Sequence, residues 1–133
     1  MNIHILVVPE SEQREEVNGA DWFFDEKGDL QVRISPMKNW RREVALGLHE
    51  AFEGLACKHL GIPFEAVDAF DAKYDKTHTF DTDAGDEPVA PYSIPHSFAT
   101  AVERIWMAMC GENWKEYDNE LKASYPGPSK KNK

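Results

Sequence analysis

Residues 21–61, DWFFDEKGDLQVRISPMKNWRREVALGLHEAFEGLACKHLG, carry strand and helix periodicity in one run, and their reading decides the fold class. Leu30, Val32 and Ile34 alternate with Gln31, Arg33 and Ser35. Successive side chains of a strand point to opposite faces, so this period of two predicts a half-buried strand. The aromatic run 21–25 lies ahead of it across Glu26-Lys27-Gly28-Asp29, and a glycine-containing connector of that length predicts a hairpin. Ser35-Pro36 then offers a helix start, with Asn39 as an alternative cap. Trp40, Val44, Leu48, Phe52 and Leu55 follow at helical spacing and read as the buried stripe of a helix reaching Leu60. Gly61 is placed to stop that helix in a left-handed conformation.

The pattern continues on both sides. Residues 3–8 (IHILVV) are β-branched and end at Pro9, which predicts a further strand. The run is too short and lacks the basic lead of a signal peptide or membrane span. Ile62-Pro63 opens a second helix to about Tyr74, with Val67, Phe70 and Tyr74 on one face, and the short connector predicts an antiparallel hairpin with the first helix. Residues 75–92 read as a long acidic loop of the kind that carries function. A third helix starts near residues 93–95 and stops at Gly111, with Phe98, Val102, Ile105 and Met109 as its expected buried stripe. Asn113 caps a fourth, whose Trp114, Tyr117 and Leu121 face inward. The expectation is therefore an α+β protein: a small N-terminal antiparallel β-sheet followed by about four helices, one domain over residues 1–125 and a basic tail over 126–133.

Composition narrows the function classes. A chain of 133 residues with 41% hydrophobic residues can bury one core. The net charge of −9 argues against a nucleic-acid binder, which needs a basic face for phosphates, and is compatible with a cation, with a basic protein partner or simply with solubility; a peptide or host protein is the expected partner. Two cysteines, Cys57 and Cys110, form no CxxC pair. They point to a reducing compartment, and with no membrane segment the expected location is the cytoplasm. Oligomeric state is not legible.

Chemistry concentrates in His49-Glu50-x-x-Glu53. Residues four apart on a helix are neighbours, so His49 and Glu53 can reach one divalent ion. Zinc takes an imidazole nitrogen and a carboxylate oxygen. Glu50, next to His49, is placed to take a proton from a water in such a site. His96, at the start of the third helix, is the chosen third ligand. It shares a face with Glu103, which is placed to support an imidazole from behind or to serve as an alternative ligand. Cys57, one turn past Glu53, is a further alternative ligand. The bland reading is a His49–Glu53 hydrogen bond that satisfies both groups and does nothing else. A second constellation, Glu50-x-x-Glu53 with Asp68-x-x-Asp71, suits Mg²⁺ or Mn²⁺ holding a nucleotide. The run Asp81-Thr82-Asp83-Ala84-Gly85-Asp86-Glu87 fails as a calcium loop, because its glycine is one place early and its twelfth position is Tyr92.

The H-E-x-x-E helix resembles the H-E-x-x-H helix of zincin metallopeptidases, with Glu53 where those have a second histidine. That likeness implies a zincin-like arrangement and metal-assisted hydrolysis of a peptide-type bond. The carboxylate pairs resemble those of the all-α pyrophosphatases, which implies Mg²⁺-dependent release of pyrophosphate from a nucleotide. Val32-Arg33-Ile34-Ser35, Trp40-Arg41-x-Glu43, His49-Glu50-x-x-Glu53-x-x-x-Cys57, Val67-Asp68-x-Phe70-Asp71, Gly85-Asp86-x-Pro88-x-x-Pro91-Tyr92 and the His96–Glu103 spacing together resemble a family of small phage and prophage proteins of unassigned activity. The likeness implies a phage or prophage origin and adds Asp71, Asp86 and Tyr92 as positions of interest. It leaves open a non-catalytic acidic protein that occupies a host factor.

Overall fold

The computed structural model of the chain describes residues 1–13, 19–78 and 82–124. Residues 126–133, expected to be a basic tail, and Asp81 of the acidic loop lie outside the described residues. Three strands, β1 (Ile3–Val7), β2 (Ala20–Phe24) and β3 (Leu30–Ile34), are followed by four helices: α1 (Trp40–Leu60), α2 (Phe64–Asp75), α3 (Ser93–Cys110) and α4 (Trp114–Ser124). The class is α+β, a small N-terminal sheet followed by helices. No helix among the described residues is long and apolar enough to cross a membrane.

The hairpin forms as its sequence requires. β2 and β3 pair antiparallel with Trp22 opposite Val32. Asp25 closes the turn by accepting from the amides of Lys27 and Asp29, and Gly28 takes φ +80°, which suits glycine. The sheet as a whole is mixed rather than antiparallel, because β1 adds to the other side of β3 in parallel register, Ile5 opposite Val32. Alternation within a strand reports which side chains share a face. It carries no information on strand direction, so the parallel pairing was not legible. β3 is the central strand, and the strand edges are β1 and β2.

One face of the sheet packs on α1. Leu30, Val32 and Ile34 are at most 1% exposed there, each contributing about 1.5–3 kcal/mol of apolar burial. The approach is close. A Cβ at Gly54 would lie 3.0 Å from the Trp22 ring and 3.2 Å from Leu30, so the bare glycine lets helix and sheet touch. Helix α1 starts at Asn39, not Ser35: the Asn39 side chain accepts from the Arg41 and Arg42 amides, and Gly61 ends the helix at φ +72°.

The far side of α1 is covered by α3, its main helical partner. The α1–α2 hairpin expected from the short connector does not form. Pro63 is extended, with φ −74° and ψ 151°, and α2 packs on the 3-10 turn Ala84–Asp86 while its Val67 joins the core that holds Cys57 of α1. The molecule is thus layered as sheet, α1, α3. Helix α4 is pinned to the start of α1 by Arg42, whose guanidinium reaches Glu120 at 2.7 Å, Glu116 at 3.2 Å and Glu112 at 3.3 Å.

The expected α3 stripe is not core, and the α1 stripe is core only in part: Leu55 packs against the core while Val44, Leu48 and Phe52 are half-buried. Trp40 on α1 is 58% exposed, and on α3 Phe98, Ile105 and Met109 are 48%, 70% and 70% exposed. The buried faces carry polar groups among small and apolar residues: Arg42, His49 and Glu53 on α1 beside Ala45, Leu46, Ala51 and Cys57, and His96 and Glu103 on α3 beside Ala99 and Met107. Helical periodicity marks two faces without saying which turns inward, and here the polar groups satisfy each other between the helices.

Candidate metal centre

His49, Glu53 and His96 come together between α1 and α3. His49 and Glu53 stand one helical turn apart on α1. Tyr92 and Ser93 begin α3 so that His96, in its first turn, faces them. His49 Nε2 lies 3.2 Å and His96 Nδ1 3.0 Å from the same oxygen, Glu53 Oε2. Ring centroids of the two histidines are 4.8 Å apart, edge to face. One donor atom from each of the three residues falls within 4.8 Å of the others. A tetrahedral zinc ion with bonds of about 2.0–2.2 Å holds its donors about 3.4 Å apart, so a small closure around an ion satisfies the set.

The outward nitrogens are also held. His49 Nδ1 meets Glu103 Oε1 at 2.8 Å, and the Tyr117 hydroxyl donates to the other Glu103 oxygen. His96 Nε2 meets Asp86 Oδ1 at 3.2 Å, with Asp83 Oδ2 at 3.7 Å. Trp22 Nε1 donates to Glu53 Oε1 at 2.9 Å. A carboxylate behind each imidazole is the support that metal-binding histidines have. Gly85 sits against the His96 ring: a Cβ there would come within 2.4 Å of it.

Protonation is set by the carboxylates around the two rings. All four ring nitrogens face carboxylate oxygens, which only accept. With every facing carboxylate ionised, each ring donates from both nitrogens and carries two protons, which would place two imidazolium ions edge to face. Burial by itself would lower the His49 pKa, but hydrogen bonds to Glu103 and Glu53 outweigh it and raise it well above the ordinary histidine value. His96 is raised in the same way, against burial, by Glu53 and then Asp83. Glu53 is depressed: burial opposes ionisation, yet the hydrogen bonds from both histidines prevail. A divalent ion supplies the two positive charges that these two extra protons otherwise bring.

The cluster opens on a cavity of about 70 Å³ between β2, α1 and α2, large enough for more than one water. Glu50 lines it, half-buried, without a hydrogen-bond partner among the described residues. Burial, then the neighbouring Glu53 charge, raise its carboxyl well above the usual range. Asp68 and Asp71 line the opposite wall. Asp71 accepts from the Tyr92 hydroxyl, and burial pushes its carboxyl up to about 7. It stays outside the histidine cluster. Cys57 is not at the centre either: fully buried in the core beside Leu30 and Val67, its thiol is pushed up to about 12 by burial.

Of the residues singled out from sequence, His49, Glu53 and His96 converge, Glu103 and Asp86 stand behind the imidazoles, and Glu50 and Asp71 share the cavity. Trp22, Asp83 and Tyr117 were missed in this role. Strand alternation turns Trp22 toward α1, and spacing turns Tyr117 inward, but neither signal names a polar partner. Comparison of the chain with protein-family models, with curated proteins and with solved structures finds no match in any of the three.

Proposed function

We propose that the protein is a metal-dependent hydrolase of phage or prophage origin, with His49, Glu53 and His96 holding a zinc-like divalent ion and Glu50 acting as general base. The observation that carries this reading is the pairing of inner and outer nitrogens: each imidazole turns one nitrogen to Glu53 and has a carboxylate, Glu103 or Asp86, against the other. A cation bound there lowers the pKa of a bound water and polarises a carbonyl oxygen. Glu50 supplies the base. Burial, then the neighbouring Glu53 charge, raise its pKa above the usual carboxylate value, which makes the ionised carboxylate a stronger base. Trp22 and the two histidines fix Glu53, so the ligand set is held before substrate arrives.

A peptide-type substrate is supported by β2. This edge strand borders the cavity through Ala20, Asp21 and Trp22, and no strand pairs with its outer edge among the described residues. An extended peptide adds to such an edge through main-chain hydrogen bonds. The test is Glu50→Gln. The variant is expected to bind metal like the wild type and to lose at least about 100-fold of any peptide hydrolysis. Full turnover in that variant would remove the base assignment.

A second reading has its own observation. Glu50, Glu53, Asp68 and Asp71 line one cavity, as a Mg²⁺ or Mn²⁺ site for nucleotide phosphates requires. It expects Mg²⁺-dependent pyrophosphate release from a nucleotide; no turnover across a nucleoside triphosphate panel would count against it. If both activities are absent, the acidic protein is better read as a binder of a host factor.

A further inference from the structure

The outward stripe of α3 is a second surface, separate from the metal centre. Ile94, Phe98, Ile105 and Met109 are 73%, 48%, 70% and 70% exposed, with Val102 half-buried between them. The opposite side of the helix carries His96 and Glu103 toward α1. Phe98 meets Phe52 of α1 edge to face at 5.6 Å, so half-buried Leu48 and Phe52 widen the stripe into a two-helix face. No charged residue lies on the stripe. Arg104, the one exposed charge on α3, is turned to the Trp114 ring at 4.1 Å.

We propose that this face is the interface of a two-fold homodimer, in which α3 packs antiparallel on α3 of a second copy. The spacing is self-complementary. A two-fold axis between Ala101 and Val102 places Ile94 opposite Met109 and Phe98 opposite Ile105, with the small Ala101 at the crossing. A two-fold interface needs that match of one surface with itself, and small residues at a crossing let helices approach to about 8–10 Å. Charge favours a second copy too. Two chains of net charge −9 repel over most of their surface, and this uncharged face is where they meet without burying like charges. The length fits as well: residues 94–109 span about 23 Å of helix, and the adjoining α1 residues Leu48 and Phe52 broaden the face that a second copy would cover.

Sedimentation velocity of the full chain tests this, comparing wild type with Ile105→Asp, whose exposed position leaves the monomer fold intact. The wild type is expected to sediment as two chains at tens of micromolar, and Ile105→Asp as one chain with an unchanged far-UV circular dichroism spectrum. A wild type that remains one chain at 100 micromolar, or an Ile105→Asp protein that remains a dimer, overturns the proposal. Should Ile105→Asp fail to fold, Ala101→Cys in a Cys110→Ser background decides: rapid oxidative cross-linking into dimers is expected, and none overturns it.

Discussion

Glu53 Oε1 accepts the Trp22 indole while Oε2 faces two imidazoles, so one side chain joins the sheet, α1 and α3. Its neighbours show how far single residues can be read from sequence. His49 and Glu53 were legible because a spacing of four fixes adjacency on a helix whatever surrounds it. His96 was reached as the histidine opening a later helix. Asp86 and Gly85 were legible only as parts of a motif. The reason Gly85 is glycine is a contact across the fold, since any Cβ there would strike the His96 ring. Gly85→Ala is therefore expected to displace that ring and weaken Zn²⁺ binding by about 10–100-fold, as loss of support around a ligand does. Titration with zinc against a competing chelator measures it, and an unchanged far-UV spectrum would place the effect at the site.

Helix ends were the most legible feature at the next scale. Asn39, Gly61, Gly111 and Asn113 all cap the helices they punctuate, because a cap is a local matter of one side chain or one positive φ. What packs on what is not local. The β1–β3 pairing, the packing of α2 on the 3-10 turn and the outward stripe of α3 depend on contacts far apart in the chain. Arg42 belongs to this class. It lies within the first turn of α1, yet it is 7% exposed and holds three glutamates from the end of α3 through α4. Hydrogen bonding to Glu120 holds its pKa above the usual arginine value against the effect of burial. Arg42→Ala would leave Glu112 and Glu120 partly buried without their counter-charge. A loss of about 3–5 kcal/mol is expected in urea unfolding, with α4 released first in hydrogen exchange.

For the whole molecule, the consequence of the polar interior is a dependence on pH and on metal. The metal-free His49 and His96 pKa values lie above those of the unfolded chain, near 6.5. Their contribution to stability is complete below that value and is lost as pH rises through the raised folded-state pKa values. Asp71, raised to about 7 by burial, works in the same direction from about pH 4 upward. Chelator-treated protein is thus expected to melt lower at pH 9 than at pH 6. Zinc-saturated protein is expected to resist that fall, because metal binds the deprotonated ligands and tightens as pH rises. A calorimetric series from pH 6 to 9, with and without zinc, measures both. The central claim, that one turn of α1 and the first turn of α3 hold a single ion, is tested most directly by the metal content of protein purified without an affinity tag, wild type beside His49→Ala and His96→Ala. About one equivalent of a transition metal in the wild type, and little in either variant whose fold is intact, is the expected result. Equal and negligible metal in all three, with no uptake of added zinc, would contradict it.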